Sequence, residues 1–306
     1  MFADALEKVL HCPLERDRAL APLTTLGIGG RAECYLEPRS LADFQAVYAM
    51  SAQMGFPVHI LGGGSNVLFA DGVIPGVVLS MRKWNAVRWP EPTEEGTRVD
   101  VQTGYPLPAL LTAVTQRGLG GLEFAAGIPG TVGGAVAGNA GAGGRSVGEF
   151  LLEVVSLEHG GTLKVWERGT FTCAYRSCSL AGGGRILLSC VLLFRAAREA
   201  DIEGELARFR SMRQGQPAGR SAGCSFKNPP GHSAGRLLDQ CGCRGMSMGD
   251  AVVSSQHANF ILNRGGASSA DVVSLVRVCR ERVLRETGIL LEPEIKFLGP
   301  AEAGFF

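Results

Sequence analysis

The chain has 306 residues, 45% of them hydrophobic, and a formal net charge of +1. That balance, without a basic run or stripe, excludes nucleic acid as a main partner. The longest apolar stretch, near residues 186–194, is too short to cross a bilayer, so no membrane insertion is expected.

The length allows about two domains, or three small ones. The start, Met1-Phe2-Ala3-Asp4-Ala5-Leu6-Glu7-Lys8, places acids where a signal peptide needs a basic region. A cytoplasmic, monomeric protein is expected. Nine cysteines are an odd count in mixed contexts, which suits reduced thiols better than a disulfide framework. Cys173-x4-Cys178 and Cys241-x-Cys243 lack zinc-site spacing, so no metal is expected.

In chain order, an amphipathic helix near residues 2–10 aligns Phe2, Leu6, Val9 and Leu10. Ser40 caps a second helix carrying Leu41, Phe44, Val47 and Tyr48, with Asp43 at the capping-box position and Gly55 as the stop. Strands follow at 57–61 and 74–79. Residues 85–97 are polar and turn-rich and mark a boundary. A strand through Val99 and Val101 precedes a helix through Leu107, Leu110, Leu111 and Val114. Further strands are expected at 152–158, 162–166 and 186–194, the last apolar on both faces and hence central. Asp201 is expected to cap a helix that buries Ile202, Leu206 and Phe209. A loop and strand around 221–228 and a short helix after Ser233 come next. A long helix is expected to begin at a Ser269 cap, with Val273, Val276, Val283 and Leu284 as its stripe and Gly288 at its end. A last strand covers 292–298.

Glycine is 43 of 306 residues, about twice the usual ~7%. Two segments concentrate it, Gly62-Gly63-Gly64-Ser65-Asn66 and Gly127-Ile128-Pro129-Gly130-Thr131-Val132-Gly133-Gly134, the second followed by Asn139-Ala140-Gly141. Residues without a β-carbon let backbone N–H groups approach an anion closely, which suits a pyrophosphate. Neither segment has the Gly-Lys-Ser/Thr of a P-loop or the Gly-x-Gly-x-x-Gly spacing. Two cradles about 65 residues apart suggest one long ligand, such as a dinucleotide, gripped from two sides.

These segments continue a longer series. Thr25-Leu26-Gly27-Ile28-Gly29-Gly30 precedes them, and Gly121-Leu122-Glu123-Phe124-Ala125-Ala126 leads into the second. Tyr175-Arg176-Ser177, Gly223-Cys224-Ser225-Phe226-Lys227-Asn228-Pro229, His257-Ala258-Asn259-Phe260 and Leu291-Glu292-Pro293-Glu294 follow. In this order, over roughly residues 24–298, they resemble the UDP-N-acetylenolpyruvoylglucosamine reductase family (MurB). The first two regions alone resemble only the wider vanillyl-alcohol-oxidase-like flavin superfamily.

The resemblance implies an α+β fold, with a two-part FAD-binding module of the vanillyl-alcohol-oxidase type and a C-terminal α+β substrate domain. On that reading residues 1–84, with 293–306 returning, form the first FAD subdomain, 85–200 the second, and 201–292 the UDP-sugar domain. It also implies FAD, NADPH and a UDP-sugar enolpyruvyl ether reduced to UDP-N-acetylmuramate (UDP-N-acetylmuramate dehydrogenase activity). Gly62, Gly63, Gly64, Ser65, Asn66, Gly127, Ile128, Pro129, Gly130, Thr131, Gly133, Gly134, Asn139 and Gly141 would then hold FAD. Tyr175, Lys227, Asn228, His257 and Asn259 would meet substrate. The short segment between Arg176 and Ala197 resembles the family type that lacks a tyrosine-bearing loop.

Hydride delivery to the enolpyruvyl methylene builds charge on the neighbouring carbon and its carboxylate. That state needs a fixed positive donor and an acid. The resemblance assigns these roles to Arg176, Glu294 and the residue after Gly223. Most relatives have Ser there; this chain has Cys224, followed by Ser225. In an extended segment the two face opposite sides, and only one reaches substrate. A thiol with pKa about 8.5 is a far stronger acid than a serine hydroxyl, so Cys224 as a neutral thiol is the expected donor, with Ser225 the alternative. Glu294 is expected to point away from the face shared by Ile295 and Phe297. Gly215 stands where many relatives carry a longer, often basic residue.

Two other functions fit part of the chain. A flavin oxidase or dehydrogenase of the wider superfamily leaves Gly223–Pro229 and Leu291–Glu294 unexplained. A nucleotide-binding sensor has no need of Arg176, Cys224 and Glu294 together.

Overall fold

The computed structural model describes residues 2–299. The part of the expected 293–306 return that lies beyond residue 299 is outside the described residues. The chain forms two compact units, each assembled from three stretches of sequence. The first comprises residues 1–14, 36–63 and 78–214; the second comprises 15–35, 64–77 and 215–306.

In the first unit, helix Leu41–Met54 begins and ends as its sequence dictates. The Ser40 hydroxyl accepts the Asp43 N–H, and Gly55 closes the helix in the left-handed region at φ 74°. The main sheet is antiparallel, in the order Leu163–Glu167, Leu151–Leu157, Ile186–Ala196, Thr97–Gln102, Val87–Arg88. Ile186–Ala196 is central, as its composition implies. Its two faces are unequal: Ile186, Leu188, Cys190, Leu192 and Phe194 are buried while the residues between them are only half-buried. Helix Leu107–Thr115 contributes Leu107, Leu110, Leu111 and Val114 to the same core cluster as Val99, Val101 and Phe194. Helix Glu199–Ser211 starts three residues earlier than an Asp201 cap would place it. Arg198 is the cap position, and its guanidinium pairs with Asp201 inside the first turn at 2.7 Å. Ile202 and Phe209 are buried as expected.

In the second unit, residues 15–19, 31–35 and 73–77 run as neighbouring strands in that order. Val67–Phe69 pairs in parallel with Lys296–Leu298, so the expected last strand is regular only over its final three residues. Helix Ser269–Thr287 is capped by Ser268, one residue before the expected cap, through a reciprocal box with Asp271. The reason is tertiary: the Ser269 hydroxyl and N–H both bond the Asp71 carboxylate, at 2.9 and 3.0 Å. Val273, Val276 and Val283 join the core, whereas Leu284 is 42% exposed, because the stripe narrows in the last turn before Gly288. Helix Ala234–Gln240 is capped by Ser233, as expected.

Candidate active site

The glycine-rich turns of the first unit touch each other. A β-carbon on Gly63 would lie 2.6 Å from Gly130 Cα, and one on Gly62 would lie 2.7 Å from Thr131 Oγ1. The two turns are thus in contact through Gly62–Gly63 and Gly130–Thr131. No side chain other than hydrogen fits at Gly63, which explains the residue type more directly than turn formation does. Thr131 caps the single-turn helix Val132–Ala137 by accepting the Gly134 N–H, and Gly133 packs on Thr103, where a β-carbon would come within 2.6 Å. Gly127 and Pro129 are exposed on the outer side of the turn, and Ile128 is half-buried. Arg213 lies against the same turn: its Cδ would be 2.7 Å from a β-carbon on Gly127. Nothing local in the sequence signals that neighbour, because 85 residues intervene.

Asn139, Gly141, Tyr175 and Arg176 come together in the first unit. Cys173–Ala174 and Ser177–Cys178 pair as a minimal hairpin with Tyr175 and Arg176 at its tip. Buried Asn139, itself at φ 41°, donates from Nδ2 to the Ala174 carbonyl (2.9 Å) and accepts the Gly148 N–H on Oδ1 (2.9 Å). Its amide therefore fastens the hairpin to the loop after the second glycine turn. Arg176 Nη1 donates to the Gly141 carbonyl at 3.1 Å. Its backbone is left-handed at φ 54°, a conformation costing a non-glycine residue roughly 1–2 kcal/mol. Strain of this kind persists where the surrounding structure over-determines a functional side chain. Tyr175 is 56% exposed, with the Arg176 guanidinium 5.5 Å from its ring centroid.

The second unit carries the remaining residues. Cys224 pairs with Phe260, and Phe226 pairs with Pro293, each as an isolated antiparallel bridge. The Ser225 N–H donates to the Asn259 carbonyl at 2.7 Å, and the Glu294 N–H donates to the Ser225 carbonyl at 2.8 Å. The segment of Cys224 and that of Glu294 are thus backbone neighbours despite 69 intervening residues. Ser225 is 1% exposed, sealed between the segments on either side, and its hydroxyl oxygen has no hydrogen-bond partner among the described residues. Cys224 is half-buried. Glu294 is also half-buried, while Ile295 on the next position is in the core.

Of the expected substrate contacts, Lys227 forms an ion pair with Glu292, and Asn228 Oδ1 accepts the Ala234 N–H at 2.9 Å. His257 stacks edge-on against Phe260, with ring centroids 5.1 Å apart. Its Nδ1 accepts the Asn259 N–H at 3.2 Å. Burial, aided by the Arg244 charge, pushes its pKa below the ordinary histidine value. Asn259 is 3% exposed and bonds the Phe226 backbone twice, accepting its N–H at 2.9 Å and donating to its carbonyl at 2.8 Å. Asn66, from the first glycine segment, donates from Nδ2 to the Glu294 carbonyl at 3.1 Å. Both asparagines therefore act on protein backbone, which their sequence context does not signal.

Residues 215–298, the stretch that holds Cys224, Asn259 and Glu294, match the model of the UDP-N-acetylenolpyruvoylglucosamine reductase C-terminal domain. The chain belongs to the UDP-N-acetylenolpyruvoylglucosamine reductase family. Residues 32–165, which hold both glycine turns, match the FAD binding domain model. The chain is 40% identical over 303 residues to the UDP-N-acetylenolpyruvoylglucosamine reductase of Moorella thermoacetica, covering 97% of each protein. It is 38% identical over 308 residues to that of Syntrophotalea carbinolica, covering 98% of this chain and 99% of the relative. Among solved structures it is similar to the Thermus caldophilus enzyme, at 34% identity and a TM-score of 0.79, covering 94% of this chain and 99% of that one. The fold is accordingly the FAD-binding domain joined to the reductase C-terminal domain, and FAD is the cofactor. Among the described residues no helix is long and apolar enough to cross a membrane.

Proposed function

We propose that the chain reduces the enolpyruvyl ether of UDP-N-acetylglucosamine-enolpyruvate to UDP-N-acetylmuramate, with NADPH as the source of electrons. The observation that carries this reading is the pairing of the Cys224 segment with the Glu294 segment in the unit that matches the reductase C-terminal domain. The oxidase and sensor alternatives give that pairing no role.

The residues present fit FAD. The Gly62–Gly63 and Gly130–Thr131 backbones meet with no room for a β-carbon between them, which leaves main-chain N–H groups of these turns as the partners for a pyrophosphate. Gly64, Ser65, Asn66, Gly127, Ile128, Pro129, Gly133 and Gly134 are assigned to FAD by the family resemblance, and Arg213 adds a cation beside Gly127. When bound, FAD supplies the hydride that reaches the methylene carbon of the enolpyruvyl group.

Arg176, at the tip of a hairpin fastened by Asn139, is the fixed positive donor for the carboxylate in which charge accumulates. Cys224 gives its thiol proton to the carbon next to that carboxylate: the S–H bond breaks, a C–H bond forms, and the thiolate recovers a proton from solvent. Cys224 suits this role better than Ser225 because it is half-buried, whereas Ser225 is sealed. Glu294 is the acidic partner. Lys227 and Asn228 meet the UDP moiety, and Tyr175 is a further substrate contact. His257 shapes the loop before Phe260. Residues 1–84 and 85–200 serve FAD and 201–292 the UDP sugar, and the protein works as a cytoplasmic monomer.

Anaerobic addition of NADPH should bleach the flavin bands, and the UDP-enolpyruvyl sugar should restore them. Cys224→Ala should leave bleaching intact and slow restoration by at least about 100-fold, the scale of a lost general acid. Ser225→Ala should restore at close to the wild-type rate. The reverse pattern would transfer the donor role to Ser225.

A further inference from the structure

We propose that Asn66 and Asn259 are positioning residues, which hold the backbone on the two sides of the Cys224–Glu294 pair so that proton delivery occurs at a fixed geometry. This rests on the roles given above to Cys224 and Glu294.

The need for such residues follows from the strand pairing. Cys224 pairs with Phe260 but Phe226 pairs with Pro293, so the segment changes partner within two residues. Around the Phe226–Pro293 bridge the bonds are made by the flanking residues: Lys227 N–H to the Glu292 carbonyl and Glu294 N–H to the Ser225 carbonyl, both at 2.8 Å. In that register Phe226's own N–H and carbonyl face the opposite side. No strand backbone continues there to take them. The Asn259 side chain supplies both missing groups, Oδ1 to the N–H and Nδ2 to the carbonyl, while its own carbonyl takes the Ser225 N–H. One residue thereby bonds both peptide groups that follow Cys224. At 3% exposure its amide has no surface left for a ligand.

Asn66 does the same at the other strand. Its Nδ2 donates to the Glu294 carbonyl and its own carbonyl accepts the Lys296 N–H, both at 3.1 Å. These bonds bracket Ile295 and extend the parallel pairing of Val67–Phe69 with Lys296–Leu298 as far as Glu294. A continuous path then runs Asn66, Glu294, Ser225, Asn259, with every link a hydrogen bond to backbone. Such bonds fix the two reacting side chains through their Cα positions, and misplacement by 1 Å at a reacting centre can cost on the order of 100-fold in rate.

The test is Asn259→Ala holoenzyme in anaerobic stopped flow, read beside wild type. The flavin content and the rate of flavin reduction by NADPH should match wild type. The rate of flavin reoxidation at saturating UDP-enolpyruvyl sugar should fall at least about tenfold, with the dissociation constant of the sugar within about threefold. The D2O effect on reoxidation should rise, because proton transfer becomes the slow step. Asn259→Asp keeps the acceptor for the Phe226 N–H and should lie between the two. Asn66→Ala removes the bond to Glu294 at the other end and should likewise slow reoxidation at saturating sugar, read per bound flavin. These two variants carry the test if Asn259→Ala does not fold.

A weaker dissociation constant with an unchanged saturated rate would overturn the proposal, since it would place the amide on the sugar. Equal slowing of both half-reactions, or rates equal to wild type, would overturn it as well. A wild-type flavin that the sugar does not reoxidise would overturn the functional reading and the positioning roles with it. Wild type and Cys224→Ala behaving as assigned, beside an unaffected Asn259→Ala, would overturn the positioning roles alone.

Discussion

Gly63→Ala isolates the close approach of the two glycine turns. The added methyl would sit 2.6 Å from Gly130 Cα and 3.1 Å from its carbonyl carbon. Ordinary contact begins near 3.4 Å, so one turn must retreat by close to an ångström. Both neighbours are backbone and cannot rotate away. Inserting a methyl into such a contact costs typically 1–3 kcal/mol. If the displaced turn is the one FAD rests on, the loss appears in binding, as a roughly 5- to 150-fold weaker Kd for FAD. Titrating FAD into the apoprotein, followed by flavin fluorescence, reads that loss directly. Gly118→Ala is the matched control: its φ of +67° is left-handed but its β-carbon would meet nothing within 4 Å. Its cost of about 1–2 kcal/mol should lower Tm without changing FAD affinity. Gly63→Ala binding FAD within about twofold of wild type would refute the steric account, because at RT ≈ 0.59 kcal/mol that is under ~0.5 kcal/mol.

Two further outcomes follow from single residues. Asp43 is buried, which by itself raises its pKa, but the His11 N–H, the Ser40 hydroxyl and the Arg39 N–H more than offset this and hold it below the ordinary carboxylate value. A depressed carboxylate stabilises the fold above its unfolded pKa, and the contribution disappears as pH falls through about 4 toward the folded value. Asp43→Asn should therefore lower Tm at pH 7 and flatten the decline of Tm with acidification; an unchanged acid limb in thermal melts would refute this. Of the nine free cysteines only Cys173 and Cys224 are half-buried, and the bond with Cys178 together with burial pushes the Cys173 thiol pKa up, so brief alkylation of the native protein followed by peptide mass spectrometry should label Cys224 first.

What the sequence determined by itself is local or categorical. Ser40, Asp43 and Gly55 set both ends of one helix because cap chemistry spans only a few residues. The apolar run at 186–194 identified the central strand because a strand paired on both edges sits inside the sheet, although only one of its faces is fully buried. The ordered motifs identified the family, and with it the flavin. Neighbouring serines defeated the cap assignment at 268 and 269, since the choice depends on Asp71, 198 residues away. Only the tertiary structure decided that the two glycine turns are in contact and that Arg176 is held in a left-handed hairpin tip. It also decided that Asn66 and Asn259 spend their amides on the backbone of Glu294 and Phe226. Each of these is a pairing between distant segments, and a residue's type does not record which strand edge it will meet. That information resides in the register of the paired backbones, which exists only once the chain has folded.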